Sequence, residues 1–338
     1  MSINAKNKFI DTIRNHILLS FSSGAIDVIR DNLNRKPLVV EGANGSIGTA
    51  LAVILKSLEI EPDPLYITTN SSEPNDYWKE FSNLKPFKLR SDLKNFRNTI
   101  SELKNLNVFY SAGYGQPAKF SLDPIGIIDT NINQLIFYKS IEKGNNFAYM
   151  STSEIYSGVT GSPKEDSPVI SKPQQARGVY IESKRLGEAI THNILHNFRR
   201  RASYRVALAF PIKHDLEDTR LLADLVKKAI KNKKVHISNG AEYVRQYQYA
   251  PFTVTKILGS LFQGEYDLYN CGGEYTLTIG ELGKKISEIF NVPFSQEIKN
   301  ISDGAPSSVL IDSDLINKDS GFIELSMYIE KALSLYID

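Results

Sequence analysis

One glycine-rich turn constrains the fold of this chain more than any other feature of its sequence. Residues 37–40 predict a short, apolar strand, which leads through Glu41 into Gly42-Ala-Asn-Gly45-Ser-Ile-Gly48 and then into a predicted helix at 49–58. Glycine permits the positive φ angles of a tight turn, and the following helix presents a positively polarised N-terminus. A strand, a G-x-x-G-x-x-G turn and a helix in this order are typical of a βαβ unit that binds the pyrophosphate of a dinucleotide.

Strands and helices alternate along the rest of the chain. This alternation favours parallel strands with crossover helices, which is a doubly wound α/β Rossmann sheet. Residues 5–34 carry apolar positions at helical spacing, broken at 22–24, and predict two amphipathic helices. Beyond residue 202 we expect shorter elements: strands at 204–210, 235–237, 246–249 and 267–270, and helices at 221–231, 280–290 and 323–335. We therefore expect a helical extension at 1–35, an NAD(P)-binding Rossmann domain at 36–205 and a mainly substrate-binding α/β lobe at 206–338.

Composition and isolated residues exclude several classes of protein. A formal charge of +2 gives no reason to expect nucleic acid or a membrane as partner, and no apolar run reaches the length of a membrane span. We expect a cytoplasmic protein, with its one cysteine, Cys271, buried as a small hydrophobe. His192 and His196, four residues apart on a predicted helix, lack a third ligand, so no metal is expected. The arginines at 199–201 are expected to end that helix, where they would complement its dipole.

The end of the second predicted strand, at 65–69, bears on the choice of cofactor. Dinucleotide sites commonly carry an acid there for the adenosine ribose, or an arginine nearby for a 2′-phosphate. This chain has Thr69 and Asn70 followed by two serines, with neither kind of group, so NAD and NADP both remain open. Asp92, which precedes Leu93 after the third strand, is interpreted either as an adenine contact or as a surface acid.

Two clusters of residues suggest acid–base chemistry. Tyr180 and Lys184 share a helix face, and an ammonium beside a phenol would lower the phenol's pKa, so that it could accept an alcohol proton as hydride leaves for nicotinamide. Upstream, a strand predicted at 147–150 leads into Thr152, Ser153 and Glu154, whose hydroxyl and carboxyl groups suit the same alcohol. Each cluster alone would suit an ordinary helix face or turn; their order after the glycine turn favours catalysis.

Together these motifs resemble the extended short-chain dehydrogenase/reductase family, which includes the NAD-dependent nucleotide-sugar epimerases, dehydratases and decarboxylases. The resemblance covers roughly residues 37–335 and implies a catalytic set of Thr152, Tyr180 and Lys184, with Ser153 and Glu154 serving a second step. Asn131 matches the family's helix asparagine. The implied cofactor-binding residues are Gly42, Asn44, Gly45, Ser46, Ile47, Gly48, Thr69, Asn70, Asp92, Leu93, Ala112, Gly113, Tyr180 and Lys184.

Weaker similarities concern the substrate. The segment from Thr152 to Tyr156 resembles UDP-glucuronate decarboxylases and is shared by GDP-mannose 4,6-dehydratases. The implied substrate-binding residues are Tyr114, Gln116, Pro117, Arg177 and Arg245, although Arg245 also suits a β-turn. The family's R-x-x-N-x-x-G-P segment is altered around Pro211, which leaves the substrate open.

The resemblance implies a nucleotide-sugar enzyme that acts through transient oxidation at C4 and is decarboxylase- or dehydratase-like. An epimerase and a ketosugar reductase are alternatives, and a non-catalytic NAD(P)-binding sensor or scaffold is the alternative of another class. Relatives commonly dimerise through the helix that bears Tyr180 and the helix before it, so a homodimer is expected.

Overall fold

The computed structural model describes residues 3–115, 120, 122–170, 172–212, 221–273, 275–297 and 308–323. The chain begins with two amphipathic helices, as predicted: α1 (Ile3–Ser20) and α2 (Ser23–Leu33). Ile13, Ile17 and Ile29 bury the apolar faces of these helices almost completely. The Ser22 hydroxyl accepts the Ala25 N–H and so begins α2.

A parallel sheet forms the centre of the molecule. Its seven strands are β1 (Leu38–Glu41), β2 (Leu65–Thr69), β3 (Leu84–Lys88), β4 (Leu106–Tyr110), β5 (Gly144–Thr152), β6 (Phe198–Val206) and β10 (Leu268–Cys271). They lie in the order β10-β6-β5-β4-β1-β2-β3. Six of them follow the doubly wound order 3-2-1-4-5-6, in which ligands bind at the carboxyl ends where the order reverses, here between β1 and β4. The predicted fold class is confirmed.

Helices cover both faces of this sheet. They are α3 (Ser46–Ser57), α4 (Leu89–Ser101), α5 (Pro124–Ile128), α6 (Gln134–Phe137), α7 (Gly178–Asn193) and α9 (Ala250–Gln263), with a π-turn at Asp129–Asn133 and 3-10 turns at Trp78–Glu80, Tyr138–Ser140 and Ser153–Tyr156. Helix α9 packs on α2 and α3 and was not predicted. It is buried on nearly every side, so its sequence lacks the polar stripe that reveals an amphipathic helix.

A smaller lobe follows β6. It contains the strands β7 (Leu208–Phe210), β8 (Val235–Ile237), β9 (Val244–Tyr249), β11 (Tyr275–Thr278), β12 (Phe294–Gln296) and β13 (Ser308–Val309), and the helices α8 (Leu221–Asn232), α10 (Ile279–Ile289) and α11 (Asp314–Asp319). A capping box between Thr278 and Glu281 begins α10. The same stretch of chain also returns to the central sheet, because β10 pairs with β6. The helix predicted at 323–335 lies almost entirely outside the described residues.

Two sequence interpretations around β6 are corrected. Helix α7 ends at Asn193, so His196 lies beyond it and the arginines at 199–201 belong to β6. This strand is held between β5 and β10, and Arg200 pairs with Asp267 at 3.1 Å beside β10. The single strand expected at 204–210 is two strands, since the chain leaves the central sheet at Ala207. Cys271 is fully buried, as expected. Among the described residues no helix is both long and apolar enough to cross a membrane.

Candidate active site

The glycine-rich turn joins β1 to α3 where the strand order reverses. Gly42 has a φ of 75°, and a Cβ there would lie 2.7 Å from the backbone of Ala112. A Cβ at Gly48 would lie 2.5 Å from the carbonyl oxygen of Gly42. Gly45 is the N-cap of α3 and has no side chain that could accept the N–H groups of the first helical turn. These groups therefore have no partner within the helix. This close-packed backbone fits a pyrophosphate.

A groove of about 1780 Å³ runs along the carboxyl ends of the strands. It is lined by most of the predicted cofactor-binding residues: Gly42, Asn44, Gly45, Ser46, Ile47, Thr69, Asn70, Leu93, Ala112 and Gly113. Gly48 lies behind the turn, where the absence of a side chain lets α3 pack closely against the backbone of Gly42 and Ala43. Asp92 is exposed at a break in α4 and does not line the groove. Of the two neighbouring residues that were predicted to bind the cofactor, only Leu93 lines it.

Residues 72–80 form the outer wall of the groove beside the glycine turn. The Asn44 amide donates to the Ser72 hydroxyl at 2.8 Å and to the Glu73 carbonyl oxygen at 2.7 Å. The buried indole of Trp78 donates to the Ala43 carbonyl oxygen at 2.8 Å. These bonds hold the wall to the turn itself.

The N-terminal extension supports the same wall from outside. Lys6 of α1 lines the groove, donates to the Asp76 carbonyl oxygen at 2.6 Å and pairs with Glu80. Phe9 packs against Tyr77 with ring centroids 6.4 Å apart. No motif in the sequence indicated this role for α1.

A buried carboxyl group lies directly before the glycine turn. Glu41 accepts hydrogen bonds from Thr68 at 2.8 Å, Gln134 at 2.9 Å and Tyr138 at 2.8 Å. Burial raises the pKa of Glu41 above its ordinary value, although the three donors act in the opposite direction. The Thr68 hydroxyl also accepts the Gly42 N–H at 3.3 Å, so this cluster fixes the start of the turn.

Lys184 lies behind the floor of the groove. Its ammonium donates to the Met150 carbonyl oxygen at 2.8 Å, and a Cβ at Gly113 would lie 3.0 Å from Nζ. Burial lowers the pKa of Lys184 to about 7, while the charge of Glu188 acts to raise it. Asn131 donates to Ser183 at 2.9 Å, and its buried Oδ1 has no partner among the described residues. The Asn131 oxygen and the Lys184 ammonium both lie next to Gly113, which has no side chain. This arrangement leaves room and hydrogen-bonding groups for a bound cofactor.

Tyr180 lies one turn earlier on α7, in an apolar cluster. The Phe120 ring stacks on its phenol with centroids 4.1 Å apart, and Thr152 lies beside it at the carboxyl end of β5. Burial, and then the charge of Glu154, raise the pKa of Tyr180 well above its ordinary value, while Thr152 acts to lower it. The expectation that Lys184 lowers this pKa is therefore wrong for this structure: desolvation dominates, and the ammonium bonds backbone carbonyl oxygens instead.

Glu154 and Ser153, the other two predicted catalytic residues, lie at the carboxyl end of β5. Ser153 is buried, and the Glu154 N–H donates to the Thr152 hydroxyl at 3.2 Å. Arg177, the residue before α7, pairs with the Glu154 carboxylate at 2.7 Å. The structure thus brings all five predicted catalytic residues to one edge of the sheet.

The predicted substrate-binding residues do not all meet there. Tyr114 lines the groove and donates its hydroxyl to Asp123. Gln116 and Pro117 lie outside the described residues. Arg245 lies on β9, donates to the Val244 carbonyl oxygen at 2.8 Å and is not among the residues that line the groove.

Comparisons with known proteins agree with this geometry. Residues 38–272 match the model of the NAD dependent epimerase/dehydratase family. No curated protein sequence matches this chain.

Solved structures of UDP-sugar epimerases and dTDP-glucose 4,6-dehydratases resemble the whole fold. A UDP-glucose 4-epimerase from Thermotoga maritima shares 18% identity and a TM-score of 0.71, over 89% of this chain and 97% of that one. A UDP-glucuronic acid 4-epimerase from Bacillus cereus, in complex with UDP-glucuronic acid and NAD, shares 16% identity and a TM-score of 0.71, over 88% and 97%. A double mutant of a dTDP-glucose 4,6-dehydratase from Streptomyces venezuelae, with NAD bound, shares 16% identity and a TM-score of 0.71, over 89% and 95%.

Proposed function

Because the chain belongs to the NAD-dependent epimerase/dehydratase family, we propose that it converts a nucleotide sugar through transient oxidation at the sugar C4. The observation that carries this proposal is the pair of hydroxyl groups of Tyr180 and Thr152 beside Glu154, at the carboxyl end of β5 in the sheet whose strand ends form the dinucleotide groove. A bound nicotinamide would accept the hydride and later return it. The two similar structures with bound NAD support that cofactor class.

Tyr180 removes the proton from the C4 hydroxyl in this proposal. Its raised pKa makes the phenolate strongly basic, so the proton is accepted readily once the phenolate has formed. Thr152 accepts the Glu154 N–H, which leaves its own hydroxyl proton to donate to the reacting oxygen. The Lys184 ammonium lies next to Gly113, and its pKa of about 7 means that it can exchange a proton near neutral pH.

The second step distinguishes the reactions of the family. We favour a decarboxylase-like outcome, because the Arg177 guanidinium beside Glu154 suits the carboxylate of a uronic acid. The similarity to a structure that holds UDP-glucuronic acid agrees with this substrate class. In the dehydratase-like alternative, Glu154 removes a proton from C5, and the ion pair with Arg177 orients its carboxylate for that task. Epimerisation is the reaction named for two of the similar structures and needs no group beyond Tyr180 and Thr152.

We also propose a homodimer formed through α5 and α7. These helices pack together and expose apolar side chains, including Ile125 at 67% and Leu186 at 50%. Leu122, Ile128 and Val179 extend the same apolar surface. A second copy of the chain would remove this surface from water.

The test is incubation of the purified protein with UDP-, dTDP- and GDP-linked hexoses and UDP-glucuronic acid, with and without added dinucleotide, followed by mass spectrometry. Conversion of one sugar, abolished in Tyr180→Phe, is the expected result. Dinucleotide binding without conversion of any of them would instead favour the sensor or scaffold.

A further inference from the structure

Helix α1 lies outside the part of the chain that matches the family model, because that match begins at residue 38. It nevertheless contributes to the groove, since Lys6 lines the groove next to the outer wall that residues 72–80 form. A helix that is not part of the matched fold therefore reaches the groove for the dinucleotide. Its contacts with the outer wall indicate what it does there.

Helix α1 is fixed in place independently of the outer wall. Ile13 is buried in the core, and the Arg14 guanidinium donates to the Ser57 carbonyl oxygen at 2.6 Å. The Ser57 hydroxyl in turn donates to the Ile10 carbonyl oxygen at 3.2 Å. Because Ser57 is the last residue of α3, these bonds join the middle of α1 to the helix that follows the glycine-rich turn. Helix α1 can therefore serve as a support for the segment that its first turns contact.

The first part of the outer wall, residues 72–75, is held by the glycine-rich turn and by α3. The Asn75 N–H donates to the side-chain oxygen of Asn44 at 2.9 Å. The side-chain amide of Asn75 donates to the Thr49 hydroxyl at 2.8 Å. Together with the bonds that Asn44 donates to residues 72 and 73, these contacts fix this part of the wall without help from α1.

The second part of the outer wall, residues 76–80, also contacts α1. The Lys6 ammonium donates to the Asp76 carbonyl oxygen at 2.6 Å and pairs with Glu80. It also lies 4.8 Å from the centroid of the Tyr77 ring, against which Phe9 packs. The Lys6 side chain is only 13% exposed, so water weakens these contacts less than it weakens a surface ion pair. Lys6 therefore ties the far part of the wall to α1.

We infer that Lys6 is a positioning residue that holds the outer wall against the bound dinucleotide and so slows its release. The inference rests on the proposed function, in which one cofactor molecule accepts the hydride and returns it and must stay bound through both transfers. A ligand leaves such a groove when a wall or loop that covers it opens. Contacts that hold the wall in place therefore act mainly on the rate of dissociation.

Displacement of bound NADH by excess NAD in a stopped-flow instrument measures this rate. Energy transfer from Trp78, the single tryptophan of the chain, to the reduced nicotinamide reports how much NADH is bound. Lys6→Met keeps the aliphatic stem but loses the bond to Asp76 and the pair with Glu80, so NADH should be released roughly tenfold faster. Lys6→Arg keeps the charge and its N–H donors, and it should restore slow release.

Lys8→Met is the matched control, because Lys8 is an exposed lysine of the same helix and does not line the groove. Its rate of NADH release should equal that of the original chain. Equal rates in Lys6→Met and Lys8→Met, or release from Lys6→Arg as fast as from Lys6→Met, overturn the inference while the proposed function stands. An original chain that binds no dinucleotide contradicts the proposed function, and this inference with it.

Discussion

The Arg205 guanidinium on β6 holds both carboxylate oxygens of Glu188 on α7, at 3.0 and 2.9 Å, in a nearly buried ion pair. Glu188 lies one helical turn beyond Lys184, and its carboxylate also accepts the hydroxyl of Ser151 at 2.5 Å. The ion pair therefore joins the helix that carries Tyr180 and Lys184 to β6, and the hydrogen bond from Ser151 joins that helix to β5, the strand that leads into Thr152.

Loss of one partner of this pair should destabilise the fold strongly. In Arg205→Met the Glu188 carboxylate stays buried without its cation, and the free energy of unfolding should fall by ~3–5 kcal/mol. Arg185→Met, which removes an exposed pair with Glu182 at 3.5 Å, should cost less than ~1 kcal/mol. Urea unfolding measures both, and equal losses would show that Arg205 does not support the site.

The lowered pKa of Lys184 predicts a particular dependence of stability on pH. Between a folded pKa of about 7 and the ordinary value of 10.5, the unfolded chain binds one proton more than the folded chain. The free energy of unfolding should therefore rise with pH across this window. In Lys184→Met this contribution is absent, so the variant should be more stable than the original chain at pH 6, by ~4–5 kcal/mol, and should lose most of that advantage as pH approaches 10.

Thermal unfolding at several pH values checks this prediction. Lys94→Met, which replaces an exposed lysine, should follow the original chain at every pH. An advantage of Lys184→Met that grows with pH would have the wrong sign and would argue against a neutral, buried Lys184.

Tyr180→Phe should separate binding from chemistry. The substituted ring keeps the stack on Phe120 and loses only the hydroxyl that exchanges protons with the substrate. We expect turnover to fall by about 10²–10⁴-fold, with the dissociation constant of the dinucleotide unchanged. Tyr66→Phe, at a buried tyrosine of β2, is the control and should keep its turnover. Residual turnover near that of the control would remove Tyr180 from the reaction.

A charge on the apolar surface of α7 should prevent dimer formation. Leu186→Glu places a carboxylate where the proposed interface excludes water, so light scattering after size-exclusion chromatography should give the mass of one chain. Leu19→Glu, at a leucine of α1 that is 64% exposed, should leave a dimer intact. A monomeric original chain, or dimers in both variants, would contradict this interface.

The residues that could be predicted from the sequence are those with local signatures. The glycine-rich turn can be recognised in the sequence because close backbone packing at Gly42 and Gly48 leaves no room for a side chain. Tyr180 and Lys184 are recognisable because helical spacing alone places them on one face. The α/β class follows similarly from the alternation of strands and helices.

The residues that were missed act through contacts between distant parts of the chain. Lys6 reaches the groove only because α1 packs on α3. The raised pKa of Tyr180 likewise depends on burial by Phe120 and its neighbours, which no i, i+4 spacing reveals. Local pattern therefore indicates the proposed catalytic residues but not the burial that shifts their pKa values.

Hydride leaves C4 of the sugar in the proposed reaction and returns within one turnover, to C4 in the decarboxylase- and epimerase-like outcomes and to C6 in the dehydratase-like outcome. The most direct measurement is mass spectrometry of the product formed from a nucleotide sugar deuterated at C4, with the absorbance of reduced nicotinamide followed in parallel. We expect that the product retains the deuterium, that no cofactor is consumed, and that Tyr180→Phe abolishes conversion. Loss of the deuterium from the product with stoichiometric accumulation of reduced cofactor would contradict it.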